Sequence, residues 1–172
     1  MIEKYDLRMR LVEESDAEFI LSLRTDESLN QFLSKTSTSL SAQIDWIRNY
    51  KIREEAGNEY YFIAIDENGR RIGTTRLYNF EDDCFETGSW IFSKDAPYGA
   101  SIKADVIGRE YGFERLKVNF CKFEVRKKNL NVVRYHKAYK PDLVGEDELN
   151  YYFKIDKSKF SMHSQKLIKL LS

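Results

Sequence analysis

Apolar residues recur along this chain at two different spacings, and the switches between them mark its elements. Leu7–Val12 alternates apolar and basic positions, the period of a half-buried strand. Phe19, Ile20 and Leu23 then fall on one helical stripe behind Ser15 and Asp16, either of which can cap the helix. A second helix starts near Ser41 and carries Ile44, Trp46, Ile47, Tyr50 and Ile52. Between the two helices, residues 25–40 are polar and rich in Ser and Thr, which predicts an irregular or short helical crossover.

The pattern then becomes that of a sheet. Tyr60–Ile65 is a run of β-formers, Asn68-Gly69 is a hairpin turn signal, and Arg71–Tyr78 is the returning strand. A polar turn over 79–83 leads into a third antiparallel strand, Cys84–Phe92. From Ala100 to about Leu116 the period is helical, with Ile102, Val106, Ile107 and Phe113 inward. Phe120–Val125 is another strand, Asn129 is placed to cap a helix through Val132, Val133, Tyr135 and Tyr139, and Tyr151–Ile155 returns to the sheet. Lys166–Leu171 reads as a last amphipathic turn. The order β-α-α-β-β-β-α-β-α-β predicts an α+β domain with a mixed sheet.

Composition narrows the classes. At 172 residues the chain suits one domain, 1–172, with a core over about 7–155 and a tail over 156–172. Its 28 basic and 28 acidic residues cancel, which gives no bulk signal for nucleic acid or an anionic membrane. Aromatic residues make up 14%, too many for a disordered chain. Cys84 and Cys121 lack redox or zinc spacing and sit in apolar runs, so buried free thiols are expected, and no metal site is predicted. With no apolar run of signal or membrane-spanning length, a cytoplasmic location is expected.

The chemistry concentrates where the strand Cys84–Phe92 runs through a loop of small residues into the long helix. Such a loop aims unpaired backbone N–H groups and the positive end of the helix dipole at one point, which suits a phosphate or pyrophosphate. Gly99, with Ala96, Ala100 and Ser101 beside it, would let a ligand approach the backbone closely.

Two stretches carry a resemblance. Glu86-x-Gly88-x-Trp90-Ile91 looks like the fourth strand of the GNAT superfamily of acetyl-CoA-dependent N-acetyltransferases, and Asn129-x-x-Val132-Val133-x-Tyr135-His136-Lys137 looks like that family's later helix motif. The resemblance runs from Leu7 to Ile155. It implies a mostly antiparallel central sheet flanked by helices, with the fourth and fifth strands splayed apart. Acetyl-CoA would enter that gap as co-substrate, with its pyrophosphate on Tyr98, Gly99, Ala100 and Ser101. A backbone N–H near Ile91 or Phe92 would polarise the thioester carbonyl, and Asn129 would touch the pantetheine arm. The family's loop carries Arg or Gln where Ala96 stands, and Gly or Ala where Ser101 stands. Lys94 or Lys103 would have to supply the missing side-chain contact.

Direct transfer to an amine needs a base and a proton for the departing thiolate. By family position Glu86 is the base, alone or through a water; a pairing with Arg76 across the meander is the structural alternative. His136 occupies the position where many members carry Tyr, and its ordinary pKa makes a protonated ring available near neutrality. Tyr135 is the reserve donor. On the acceptor side, Arg24 and Arg48 offer guanidinium groups for phosphate and Trp46 offers a ring face. The segments 23–33 and 44–49 that carry these residues resemble bacterial enzymes that acetylate nucleotide-linked amino sugars and, more distantly, those that acetylate ribosomal-protein N-termini. The expected partner is a small amine, and the expected state is a monomer or homodimer. A non-catalytic domain that binds acyl-CoA or a partner is the alternative from another class.

Overall fold

The computed structural model describes residues 1–171. Its strands are β1 (Ile2–Lys4), β2 (Leu7–Leu11), β3 (Tyr60–Ile65), β4 (Arg71–Glu81), β5 (Cys84–Phe92), β6 (Phe120–Arg126), β7 (Asp142–Glu146) and β8 (Asn150–Asp156). Its helices are α1 (Ala17–Thr25), α2 (Leu40–Glu55), α3 (Ala100–Leu116), α4 (Leu130–Lys137) and α5 (Lys157–Leu171). All the strands join one sheet in the order β1-β2-β3-β4-β5-β6-β8-β7. Among the described residues only β5 and β6 pair in parallel. This is the mixed, mostly antiparallel α+β sheet that the sequence led us to expect.

β3 shows how one strand separates two cores. Its residues are buried on both faces, which is why it reads as an unbroken apolar run rather than an alternation. Tyr60, Phe62 and Ala64 join a large cluster with residues of α3, α4 and α5. Tyr61, Ile63 and Ile65 join Ala17, Ile20, Ile47 and Tyr50 of α1 and α2 on the other face. Each buried Phe or Ile among them contributes about 1.5–3 kcal/mol by leaving water.

Pairing between β5 and β6 covers only Cys84–Thr87 against Phe120–Phe123, although both strands continue beyond it. The sheet therefore opens into a cleft after Thr87 and Phe123. On its other edge β5 carries a bulge: Thr74 pairs Ile91 while Arg76 pairs Gly88, so β5 has one residue more than β4. Ser89 in the bulge takes a left-handed φ of 49°, and the Thr74 hydroxyl donates to its carbonyl at 2.7 Å. An L-residue held there costs about 1–2 kcal/mol.

Three elements differ from expectation. β1 forms through a tight turn in which Tyr5 and Asp6 both take positive φ, with no Gly or Asn to announce it. β7 is a polar edge strand that exists through its pairing with β8. The tail is a full helix, because Phe160, Ser164 and Ile168 form one buried stripe that Ser164 conceals in the sequence. No helix among the described residues is long and apolar enough to cross a membrane. Cys84 and Cys121 are free and buried.

Candidate active site

Two cavities meet at the β5 bulge. The first, of about 260 Å3, fills the splay and is lined by Thr87–Trp90 of β5, Phe123–Arg126 of β6, Asp105 and Arg109 of α3, and Asn129, Val132 and His136. The second, of about 430 Å3, lies under α1, α2 and the crossover. Arg24, Ser34, Arg76 and Ser89 line both.

At the mouth of α3, Gly99 caps the helix at φ 78°. The Ala100 N–H is bonded to Pro97 O and the Lys103 N–H to Gly99 O, so Ser101 and Ile102 keep the unpaired donors of the first turn. Trp90 Nε1 donates to Ser101 O at 2.9 Å and ties this turn to the bulge. A Cβ at Gly99 would stand 3.0 Å from Leu171 of α5. Tyr98 is 93% exposed. Lys94 and Lys103 pair with Asp26 and Asp6, at 4.0 and 3.8 Å. Ala96 packs partly against the core.

Asn129 caps α4 and accepts from the Val132 N–H at 3.5 Å, while its side chain lines the splay. Ile91 and Phe92 lie beyond the bulge, in register with Thr74 and Gly73, and line neither cavity. The stretch of β5 that lines the cleft is Thr87–Trp90, with the bulge inside it. A bulge cannot be located from strand propensity.

His136 is 5% exposed, between the rings of Phe123 at 4.6 Å and Tyr135 at 4.8 Å. Burial, reinforced by the Arg109 cation, pushes its pKa down to about 3. The ring that the sequence supplies with a proton near neutrality is therefore uncharged. Tyr135 does not line the cleft: its hydroxyl donates to Asp105 at 2.8 Å, and burial with that neighbouring carboxylate raises its pKa well above the ordinary value. Glu86 lines neither cavity and accepts from the Asn79 amide at 3.1 Å, while Arg76 turns to Glu59 at 3.5 Å instead.

On the acceptor side, Arg24 and Trp46 line the second cavity. Arg24 donates through Nε to Thr36 at 2.6 Å and so fastens the crossover over the cavity. Arg48 is not there; it pairs with Glu14 and Asp45 on the outer face of α2. Sequence reasoning missed Lys35, Arg76, Asp105 and Arg109. For the last two a signal existed: a charged i,i+4 pair set among the small residues Ala104, Gly108 and Gly112, on the face of the helix that packs inward. Among the described residues no three His, Cys, Asp or Glu side chains converge as a metal-holding group.

The splay between the parallel strands and the glycine-capped start of α3, whose Gly99, Ala100 and Ser101 line neither cavity, are the two features that the sequence resemblance implies. The chain belongs to the GNAT acetyltransferase family: residues 6–139 match the acetyltransferase (GNAT) domain. It is an N-acetyltransferase, and the family uses acetyl-CoA. Among solved structures it is similar to apo FdhC, a nucleotide-linked sugar GNAT, with 37% identity over 98% of this chain and 96% of that one, at a TM-score of 0.87. The fold is shared with the ribosomal-protein-S5-alanine acetyltransferase of Vibrio fischeri, at 16% identity over 92% and 97% of the two chains and TM-score 0.78. It is shared too with the spermidine N-acetyltransferase of Vibrio cholerae in complex with CoA and spermine, at 19% identity over 92% and 99% and TM-score 0.77. No curated protein is similar enough to the chain to add to this comparison.

Proposed function

We propose that the acceptor of this N-acetyltransferase is the amino group of a nucleotide-linked amino sugar. The observation that carries this is the lining of the second cavity: Arg24, Lys35 and Arg76 with no carboxylate among its residues. A polyamine would bring positive charge into a cationic pocket, whereas a diphosphate would meet guanidinium donors suited to its oxygens. The similarity to a nucleotide-linked sugar GNAT supports the same acceptor class. A ribosomal-protein N-terminus remains the alternative acceptor.

In this mechanism acetyl-CoA occupies the splay, with its pyrophosphate at the unpaired N–H groups of Ser101 and Ile102 and beside Gly99. Small residues and the α3 dipole suit an anion there. The Asn129 amide faces pantetheine. The bulge joins the two cavities, so the acceptor amine reaches the thioester past Ser89. The nitrogen attacks the carbonyl carbon, the C–S bond breaks with its electron pair going to sulfur, and the amine gives its proton to solvent. No step is assigned to Glu86.

Calorimetry with UDP and thymidine diphosphate tests the acceptor class. Binding that weakens as salt rises, and that weakens further in Arg24→Gln, is expected. Losing one charge-assisted hydrogen bond corresponds to roughly 10- to 150-fold in affinity. Saturable turnover of spermidine with no nucleotide binding would overturn the proposal.

A further inference from the structure

The floor of the splay holds a buried ion pair that the mechanism above does not use. Asp105 and Arg109, one turn apart on α3, are each 3% exposed. Arg109 Nε lies 3.0 and 3.1 Å from the two Asp105 oxygens. Its Nη1 reaches Cys121 Sγ at 3.7 Å, and its guanidinium carbon sits 4.3 Å from the centre of the Phe123 ring. Two elements, α3 and β6, thus hold one cation still. Nη2 is aimed at His136 Nδ1, 3.5 Å away.

Guanidinium nitrogens donate and never accept, so a ring nitrogen facing one must carry a lone pair. That leaves the ring proton on Nε2. Among the described residues Nε2 has no hydrogen-bond partner, and His136 lines the cleft. We propose that Arg109, oriented by Asp105, is a positioning residue that fixes His136 as a neutral imidazole with its proton on Nε2, so that this N–H donates to the sulfur leaving from CoA. The proposal rests on the placement of acetyl-CoA in the splay argued above.

The surroundings agree from each side. α3 contributes Asp105 and Arg109, β6 contributes Cys121 and, at the cleft wall, Glu124 and Arg126, and α4 contributes Tyr135, whose hydroxyl is committed to Asp105. Trp90 of β5 covers the ring at 5.7 Å and carries no titratable group. Burial opposes the Arg109 charge, but its neighbours, Asp105 foremost, together outweigh it and keep the guanidinium firmly protonated. Burial first, and then the Arg109 cation, disfavour a second positive charge on His136. The imidazole therefore does not hand over a proton. It stabilises developing negative charge on sulfur through a hydrogen bond, a known use of neutral histidine. The C–S electron pair stays on sulfur, and water later protonates the thiolate.

Nitrogen-15 NMR of the histidine-labelled enzyme with CoA bound reads the tautomer without needing an acceptor. His136 is expected to stay neutral with its proton on Nε2 from about pH 5.5 to 9. A proton on Nδ1, or a titration centred in that range, overturns the proposal. The double variant Asp105→Asn/Arg109→Leu removes the lock without leaving a lone buried charge. Its kcat should fall by about 10- to 100-fold, with KM for acetyl-CoA little changed, and its His136 spectrum should show the ring proton shared between Nδ1 and Nε2. Wild-type kcat, or an unchanged tautomer, in the double variant would also overturn it. Should the double variant not fold, the wild-type spectrum decides alone. Absence of acetyl transfer by the wild type counts against the enzymatic mechanism, while the spectrum still tests the lock.

Discussion

Acid should destabilise this protein well before its carboxylates protonate, and His136 is the reason. In the unfolded chain a histidine titrates near 6.5, whereas burial holds His136 at about 3 in the fold. Between those values the unfolded state binds the extra proton, so stability rises with pH and is lost as pH falls below about 6.5. At pH 5 the unfolded histidine gains about 2 kcal/mol from protonation, and the folded one gains almost nothing while its pKa stays below about 4. Asp16, Asp66 and Asp147 also have lowered pKa values, but their unfolded values near 4 confine their effect to stronger acid. Urea denaturation at pH 7.5 and pH 5, on the wild type and on His136→Phe, isolates the histidine as a difference of differences. The wild type should lose about 2 kcal/mol more than the variant across that interval, whatever stability the variant starts from. Equal losses in the two proteins would refute the reasoning and place a charged histidine in the folded state.

Three further outcomes follow from the donor site. Gly99→Val forces a branched side chain onto a left-handed backbone and against Leu171, and calorimetry should show weaker acetyl-CoA binding; unchanged affinity in a folded variant would move the phosphate site elsewhere. Ala96→Arg should tighten CoA binding at low salt, with a gain that shrinks as salt rises, and a neutral or adverse effect at low salt would mean that this position does not face the phosphates. Glu86→Gln should change kcat by less than about tenfold, because its carboxylate lies with Asn79 and lines neither cavity; a loss of 10²–10⁴-fold would make it the general base after all.

The fold was largely legible in the sequence because its signals are local and redundant. Tyr60–Ile65, the Asn68-Gly69 turn and Asn129 each carry their own pattern, and each forms as that pattern implies. The elements that escaped depend on partners. β7 is polar and stands through β8, and the α5 stripe is interrupted by Ser164. In the site, Gly99 and Arg24 announce themselves by residue type and place. Arg76 and Lys35 do not, since a cation on a strand or crossover reads as solvated until the cavity around it is known. The charge state of His136 was out of reach, because it is set by burial and by Arg109, 27 residues away in sequence.

The most direct test of the account is acetyl transfer to a panel of amines, followed by thiol release and by mass spectrometry of the acceptor. Acetyl-CoA would be offered with nucleotide-linked amino sugars, the corresponding free amino sugars, spermidine, and peptides beginning with Ala or Ser. The account expects CoA release and one added acetyl group on a nucleotide-linked amino sugar, with the free amino sugar and spermidine turned over far more slowly. Preferred acetylation of spermidine or a peptide N-terminus would contradict the acceptor assignment, and no thiol release with any amine would contradict the account as a whole.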